Sequence, residues 1–102
     1  MDKNEVLRKI ERYIKLLNEN ILPKKVILYG SYAKGNWNDN SDIDIAVVVD
    51  IKNEDFLTLE SLLYKLRRNI DVRIEPILLE EGEDKSGFLE DILKHGEILY
   101  SI

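Results

Sequence analysis

Two aspartates stand one residue apart in "SDIDIAVVV", Asp42 and Asp44, and "LYGSYAKG" precedes them with ten residues between Ser31 and Asp42. In an extended chain, residues i and i+2 face the same way with Cα atoms roughly 6.5–7 Å apart. Both carboxylates can then aim at one point. Left bare, they repel, and one tends to keep a proton. A divalent cation removes that conflict, and magnesium is commonly held by one or two carboxylates together with substrate phosphates. Upstream, Gly30 omits a side chain where a phosphate would approach the backbone. Ser31 offers a hydroxyl and an N–H. Lys34 follows about one turn later as a point charge, and Gly35 lets the chain turn away. A phosphate cradle beside a metal seat implies a nucleoside triphosphate. Each half alone is commonplace: a Gly-Ser pair is usually only a turn, and Asp-x-Asp at a strand start is usually solvated or capping. Their joint occurrence, each beside an apolar strand, carries the reading.

The surrounding elements must position these groups. Val6, Ile10, Tyr13, Ile14 and Leu17 recur as one helical stripe and predict a helix from about Asp2 to Asn20, capped by Asp2 or Asn4 and stopped by Pro23. "KVILY" predicts a strand over Lys25–Tyr29, closed by Gly30. Residues 31–36 read as a short helix or a turn, and "NWNDNS" as a loop. Ser41–Val49 predicts a second strand, with Ile43, Ile45 and Val47 on the face opposite the aspartates. Asn53 is positioned to cap a helix over 54–68 with Phe56, Leu59, Leu62, Leu63 and Leu66 inward. "NIDVRIEPILL" reads as a third strand, with Asp71, Arg73, Glu75 and Ile77 on one face. "EEGEDKSG" is a solvated acidic loop. Ser86 begins a last helix through Lys94, with Phe88, Leu89, Ile92 and Leu93 inward and Gly96 at its C-cap, and "EILYSI" a short final strand. Strands alternating with helices make an α/β sheet, and the tight turn allows a mixed one.

Bulk properties narrow the function classes. The chain has 102 residues, 44% apolar and 34% charged, which predicts one globular domain over 1–102. It has no cysteine, so disulfides and thiolate zinc sites are excluded and a reducing cytoplasm is expected. No apolar run reaches the roughly 18–20 residues that span a membrane. The net charge of −5 argues against a broad nucleic-acid surface and leaves room for a local basic pocket.

"GSYAKGNWNDNSDIDIAVV" resembles the Gly-Ser, ten-residue gap, Asp-x-Asp signature of the nucleotidyltransferase superfamily that includes DNA polymerase beta. The short length is similar to that of the minimal nucleotidyltransferases, MntA-type antitoxins among them. The resemblance implies an α/β fold with a small mixed sheet of about four strands flanked by helices. It also implies a third acid on a neighbouring strand. Glu75 in "RIEPI" and Asp71 in "NIDVR" both have the required form. Glu75 is preferred, because the chain length it leaves before "FLEDILKHGEILY" is more like the family's. A rival reading pairs Glu75 with Arg73 or a lysine. Two departures stand out: Lys34 replaces the commoner arginine, and a glutamate replaces the commoner third aspartate.

The family's reaction is Mg²⁺-dependent nucleotidyl transfer, in which an acceptor hydroxyl attacks the α-phosphate of ATP or another NTP. The resemblance gives Asp42, Asp44 and Glu75 two metal ions to hold, with Glu75 as a base, and gives Gly30, Ser31 and Lys34 the phosphates. It further implies a partner, a helical protein of the HEPN type whose tyrosine receives AMP in a toxin–antitoxin pair, in a homo- or hetero-oligomer. An antitoxin or nucleotide sensor that acts by binding is the alternative, and transfer to a small molecule a third. His95 reads as a helix-end residue. Trp37 either covers the core's edge or stacks on a base, and Arg73 either tunes Glu75 or meets phosphate.

Overall fold

The computed structural model describes residues 2–50, 55–84 and 86–102. The order is α1 (Lys3–Asn20), β1 (Lys25–Tyr29), α2 (Ser31–Lys34), β2 (Ile43–Val49), α3 (Phe56–Arg67), β3 (Ile74–Glu80), α4 (Phe88–His95) and β4 (Glu97–Ser101). This is the α/β architecture expected, with a mixed four-stranded sheet in the order β3-β2-β1-β4. Antiparallel β1 pairs with β2 and β4, while β2 and β3 run parallel.

Alternation along the strands sorts side chains to two faces. Val26, Leu28, Ile43, Ile45 and Val47 point toward α1 and α3, where Ile10, Leu17 and Leu63 meet them with no exposed surface. Each such side chain contributes roughly 1.5–3 kcal/mol through burial. Tyr13 ties the two helices together by donating to the Leu63 carbonyl at 2.8 Å. The opposite face carries Ile27, Ala46 and Val48, covered by Ile92 of α4.

Local chemistry sets the helix ends. Asp2 caps α1 by accepting from the Glu5 N–H at 2.9 Å. Asp55 caps α3 by accepting from Leu57 N at 3.0 Å, so α3 starts at Phe56, and Asn53 lies outside the described residues. Phe56 is 41% exposed and is no part of the inward stripe. Asp84, more than Ser86, caps α4: its carboxylate accepts from Leu89 N at 2.8 Å and Glu90 N at 2.9 Å, against 3.3 Å from Phe88 N to Ser86. Leu93 is exposed rather than inward.

Two strands begin later than the sequence pattern suggests, β2 at Ile43 and β3 at Ile74. The alternation of Ile70, Val72 and Ile74 imitates a strand. The Asp71 side chain instead accepts from Arg73 N at 2.8 Å, an Asx turn that keeps residues 71–73 out of the sheet and leaves Val72 exposed. Asp71 and Glu75 therefore do not share one strand face.

Candidate active site

The site gathers where β1 ends. Gly30 leaves the strand at φ +74°, a region that favours glycine. A Cβ there would fall 2.2 Å from Asp44 Oδ2 and 3.1 Å from Asp44 Cγ. Gly30 thus admits a carboxylate to the backbone. From the sequence, the same absence reads as room for a phosphate.

α2 follows at once. Gly30 O accepts from Lys34 N at 3.0 Å, and Ser31 O from Gly35 N at 3.0 Å. First-turn N–H groups have no partner within a helix, and in α2 these belong to Ser31 and its neighbours. Lys34 is exposed at the end of this turn. Tyr32 turns inward, fully buried, and Trp37 stacks on it with ring centroids 5.4 Å apart. Trp37 therefore covers the core's edge. Asn38, Asn40 and Ser41 close the loop among themselves: Ser41 Oγ accepts from Asn38 N at 2.9 Å, and Asn38 Oδ1 from Asn40 N at 2.8 Å.

Register places the acids. Tyr29 faces Asp44 across β1 and β2, and Asp44 faces Glu75 across β2 and β3. The three form one row on the face that α4 only partly covers. Burial pushes the half-buried Asp44 carboxyl up, and the nearby charges of Asp42 and Glu75 push it further. The Tyr29 hydroxyl is pushed up to about 12, first by burial and then by Asp44, Tyr64 and Glu75.

Glu75 has a partner that sequence reasoning missed. Arg67, at the end of α3, donates to its Oε1 at 3.3 Å. The sequence signal was present, a cation at a helix end eight residues before the acid, but it reads equally well as a dipole partner. Arg73 binds Asp71 instead, through Nη2 at 2.8 Å and Nε at 3.2 Å, and Lys9 adds a contact at 2.7 Å. The Asp71 side chain is 8% exposed. Asp71 is therefore an ion-pair centre held by Arg73 and Lys9. His95 is a helix-end residue, exposed, with Asp91 at 3.8 Å. It lines a cleft of about 290 Å³ with Tyr29, Gly30, Lys34 and Phe88.

The donor chemistry suits a hard divalent cation. Asp42, Asp44 and Glu75 offer only carboxylate oxygens, and burial together with the charges of Asp42 and Glu75 makes Asp44 harder to ionise, which a cation would relieve. Among the described residues, however, no three His, Cys, Asp or Glu stand together as a closed metal-binding group. Asp42 and Asp44 are close enough for the charge of one to act on the other. Glu75 is paired with Arg67.

A sheet of this order, with one acid just before β2 and one on it, and a glycine-serine turn after β1, defines a nucleotidyltransferase domain. The family model "Polymerase beta, Nucleotidyltransferase" matches residues 11–102, and the chain belongs to that family. A Methanocaldococcus jannaschii protein named "Putative protein adenylyltransferase" is 36% identical over 78 residues, covering 76% of this chain and 78% of the relative. A crystal structure described as "the toxin-antitoxin with AMP-PNP" is similar with a TM-score of 0.66 at 29% identity, over 100% of this chain and 75% of that one. Another, of the toxin-antitoxin MntA-HpeT, has a TM-score of 0.67 at 26% identity, over 91% and 72%. Among the described residues no helix is long and apolar enough to cross a membrane.

Proposed function

We propose that this chain transfers AMP from ATP to a protein hydroxyl, a tyrosine of a HEPN-type helical partner, with Mg²⁺ bound. The observation that carries the reading is the approach of the Asp44 carboxylate to Gly30, where a Cβ would be 2.2 Å from Oδ2. It joins the phosphate-facing turn and the acid pair in one unit. The relative named as an adenylyltransferase and the neighbour described with AMP-PNP support adenylate as the group moved. The toxin–antitoxin neighbours support a protein partner.

In this reaction the acceptor oxygen forms a bond to the α-phosphorus, the bond to the bridging oxygen breaks, and pyrophosphate leaves. When bound, magnesium supplies charge neutralisation at the triphosphate and lowers the acceptor's pKa, with Asp42, Asp44 and Glu75 as the residues that would hold it. Ser31 positions the outer phosphates through its hydroxyl and N–H. Lys34 adds a positive charge that holds them in place. Glu75 takes the acceptor proton once it is free of Arg67. Positioning is the main contribution a protein makes to such chemistry.

A second reading is an antitoxin that acts by contact alone. The pairing of Glu75 with Arg67 favours it, because the third acid is engaged elsewhere. Co-expression with the adjacent gene product and intact mass measurement separates the two. A mass gain of one AMP on the partner, absent with Asp42→Asn, Asp44→Asn, is the expected result. Full protection of cells by that double variant, with no mass gain in the native pair, would leave only the contact reading.

A further inference from the structure

Arg67 is held more firmly than the acid it meets. A single nitrogen, Nη1, donates to the Ile74 carbonyl at 2.7 Å, the Val72 carbonyl at 3.0 Å and Glu75 Oε1 at 3.3 Å. The guanidinium carbon also lies 4.8 Å from the centre of the Tyr64 ring. The Arg67 side chain is 22% exposed and that of Glu75 44%. Withdrawing Arg67 would leave the part-buried Ile74 carbonyl without this donor, which is costly, while the exposed Val72 carbonyl can turn to water. Withdrawing Glu75 breaks only the longest of the three contacts. The cation is thus the fixed member of the pair, and the carboxylate the movable one. Among the described residues, Asp42 and Asp44 have no basic side chain within ion-pair distance.

We propose that Arg67 is a positioning residue, a built-in counter-cation that keeps Glu75 out of the metal-binding set in the nucleotide-free protein. Divalent cation binding then rests on Asp42 and Asp44, and Glu75 joins when it turns away from Arg67. The fixed charge also opposes a second cation nearby, so that position fills when the negative charge of a triphosphate is present. The inference rests on the reading of Asp42 and Asp44 as metal-holding residues.

The test is Mn²⁺ binding to the nucleotide-free chain, read from the electron paramagnetic resonance signal of the free ion. Arg67→Gln removes the charge and keeps a donor. It should bind Mn²⁺ roughly three- to tenfold more tightly, whereas Arg67→Lys should stay within about twofold of the native chain. The gain from Arg67→Gln should be clearly smaller in a Glu75→Gln background, where only the lost repulsion remains. Unchanged or weaker binding by a folded Arg67→Gln overturns the proposal. Should that variant not fold, Glu75→Gln with Arg67 intact decides. Affinity within about threefold of native supports the proposal, and a loss of about tenfold or more shows Glu75 already on the metal and overturns it. Native binding no tighter than that of Asp42→Asn, Asp44→Asn removes the underlying reading as well, a result distinct from failure of the Arg67 step alone.

Discussion

Asp44 and Glu75 are register partners on the parallel pair β2 and β3, so two acids face the same side of the sheet from adjacent strands. The arrangement is electrostatically unfavourable without a cation, and that has a measurable sign. The Asp44 carboxyl is raised in the folded protein. Its penalty on stability is therefore fully present above the folded value, and it disappears below the ordinary aspartate value of about 3.9.

Asp44→Asn should consequently raise the melting temperature at neutral pH without divalent ions, by a few degrees. The difference should close as the pH falls to about 4. Circular dichroism melts across that range check it. A difference that stays constant with pH would show that the charge is not its source.

Gly30→Ala places a methyl group against Asp44 and forces a side chain into φ +74°. The backbone strain alone should cost about 1–3 kcal/mol. Denaturant unfolding measures it. The cost should be smaller in an Asp44→Ala background, where the colliding carboxylate is gone. Equal costs in both backgrounds would assign the whole effect to the backbone.

Asp71 is predicted to matter for folding. Its carboxyl is held well below the usual range, chiefly by its hydrogen bond with Arg73 and further by Lys9, against the opposing effect of burial. A depressed folded value stabilises above the unfolded value and loses that effect as pH falls toward the folded one. Asp71→Ala should cost about 2–3 kcal/mol at neutral pH, through lost charged hydrogen bonds. The cost should shrink below about pH 4. ATP affinity should be unchanged by this variant, and a large drop would return Asp71 to the site.

Calorimetry with ATP tests the cradle. Affinity should require magnesium, fall on Ser31→Ala, and fall further on Lys34→Ala, which removes a charge. The same affinity with and without magnesium, and with either variant, would contradict the assignment of Gly30, Ser31 and Lys34 to the phosphates.

The hydrophobic periods of α1, β1 and β2 make them legible from sequence, because one pattern of burial serves each. The meeting of Asp44 with the turn at Gly30 is legible for the same reason: spacing along two strands is local. What escapes is set across the chain. "NIDVRIE" alternates as a strand does, yet Asp71 spends its side chain on the backbone of Arg73. Arg67 and Glu75 belong to different elements, and nothing in either segment says they meet. Asp71 also meets Lys9, sixty-two positions away, a contact that no local pattern announces.

The eight residues of α4 span only about 12 Å along its axis. It packs on Ile27, Ala46 and Val48, and on the same face the Glu75 side chain is 44% exposed. Under the proposed reaction, a molecule presenting a hydroxyl would meet an open ledge there. Selection among acceptors would then fall to reach: how far a side chain projects from its own surface would decide whether its oxygen arrives at the acids.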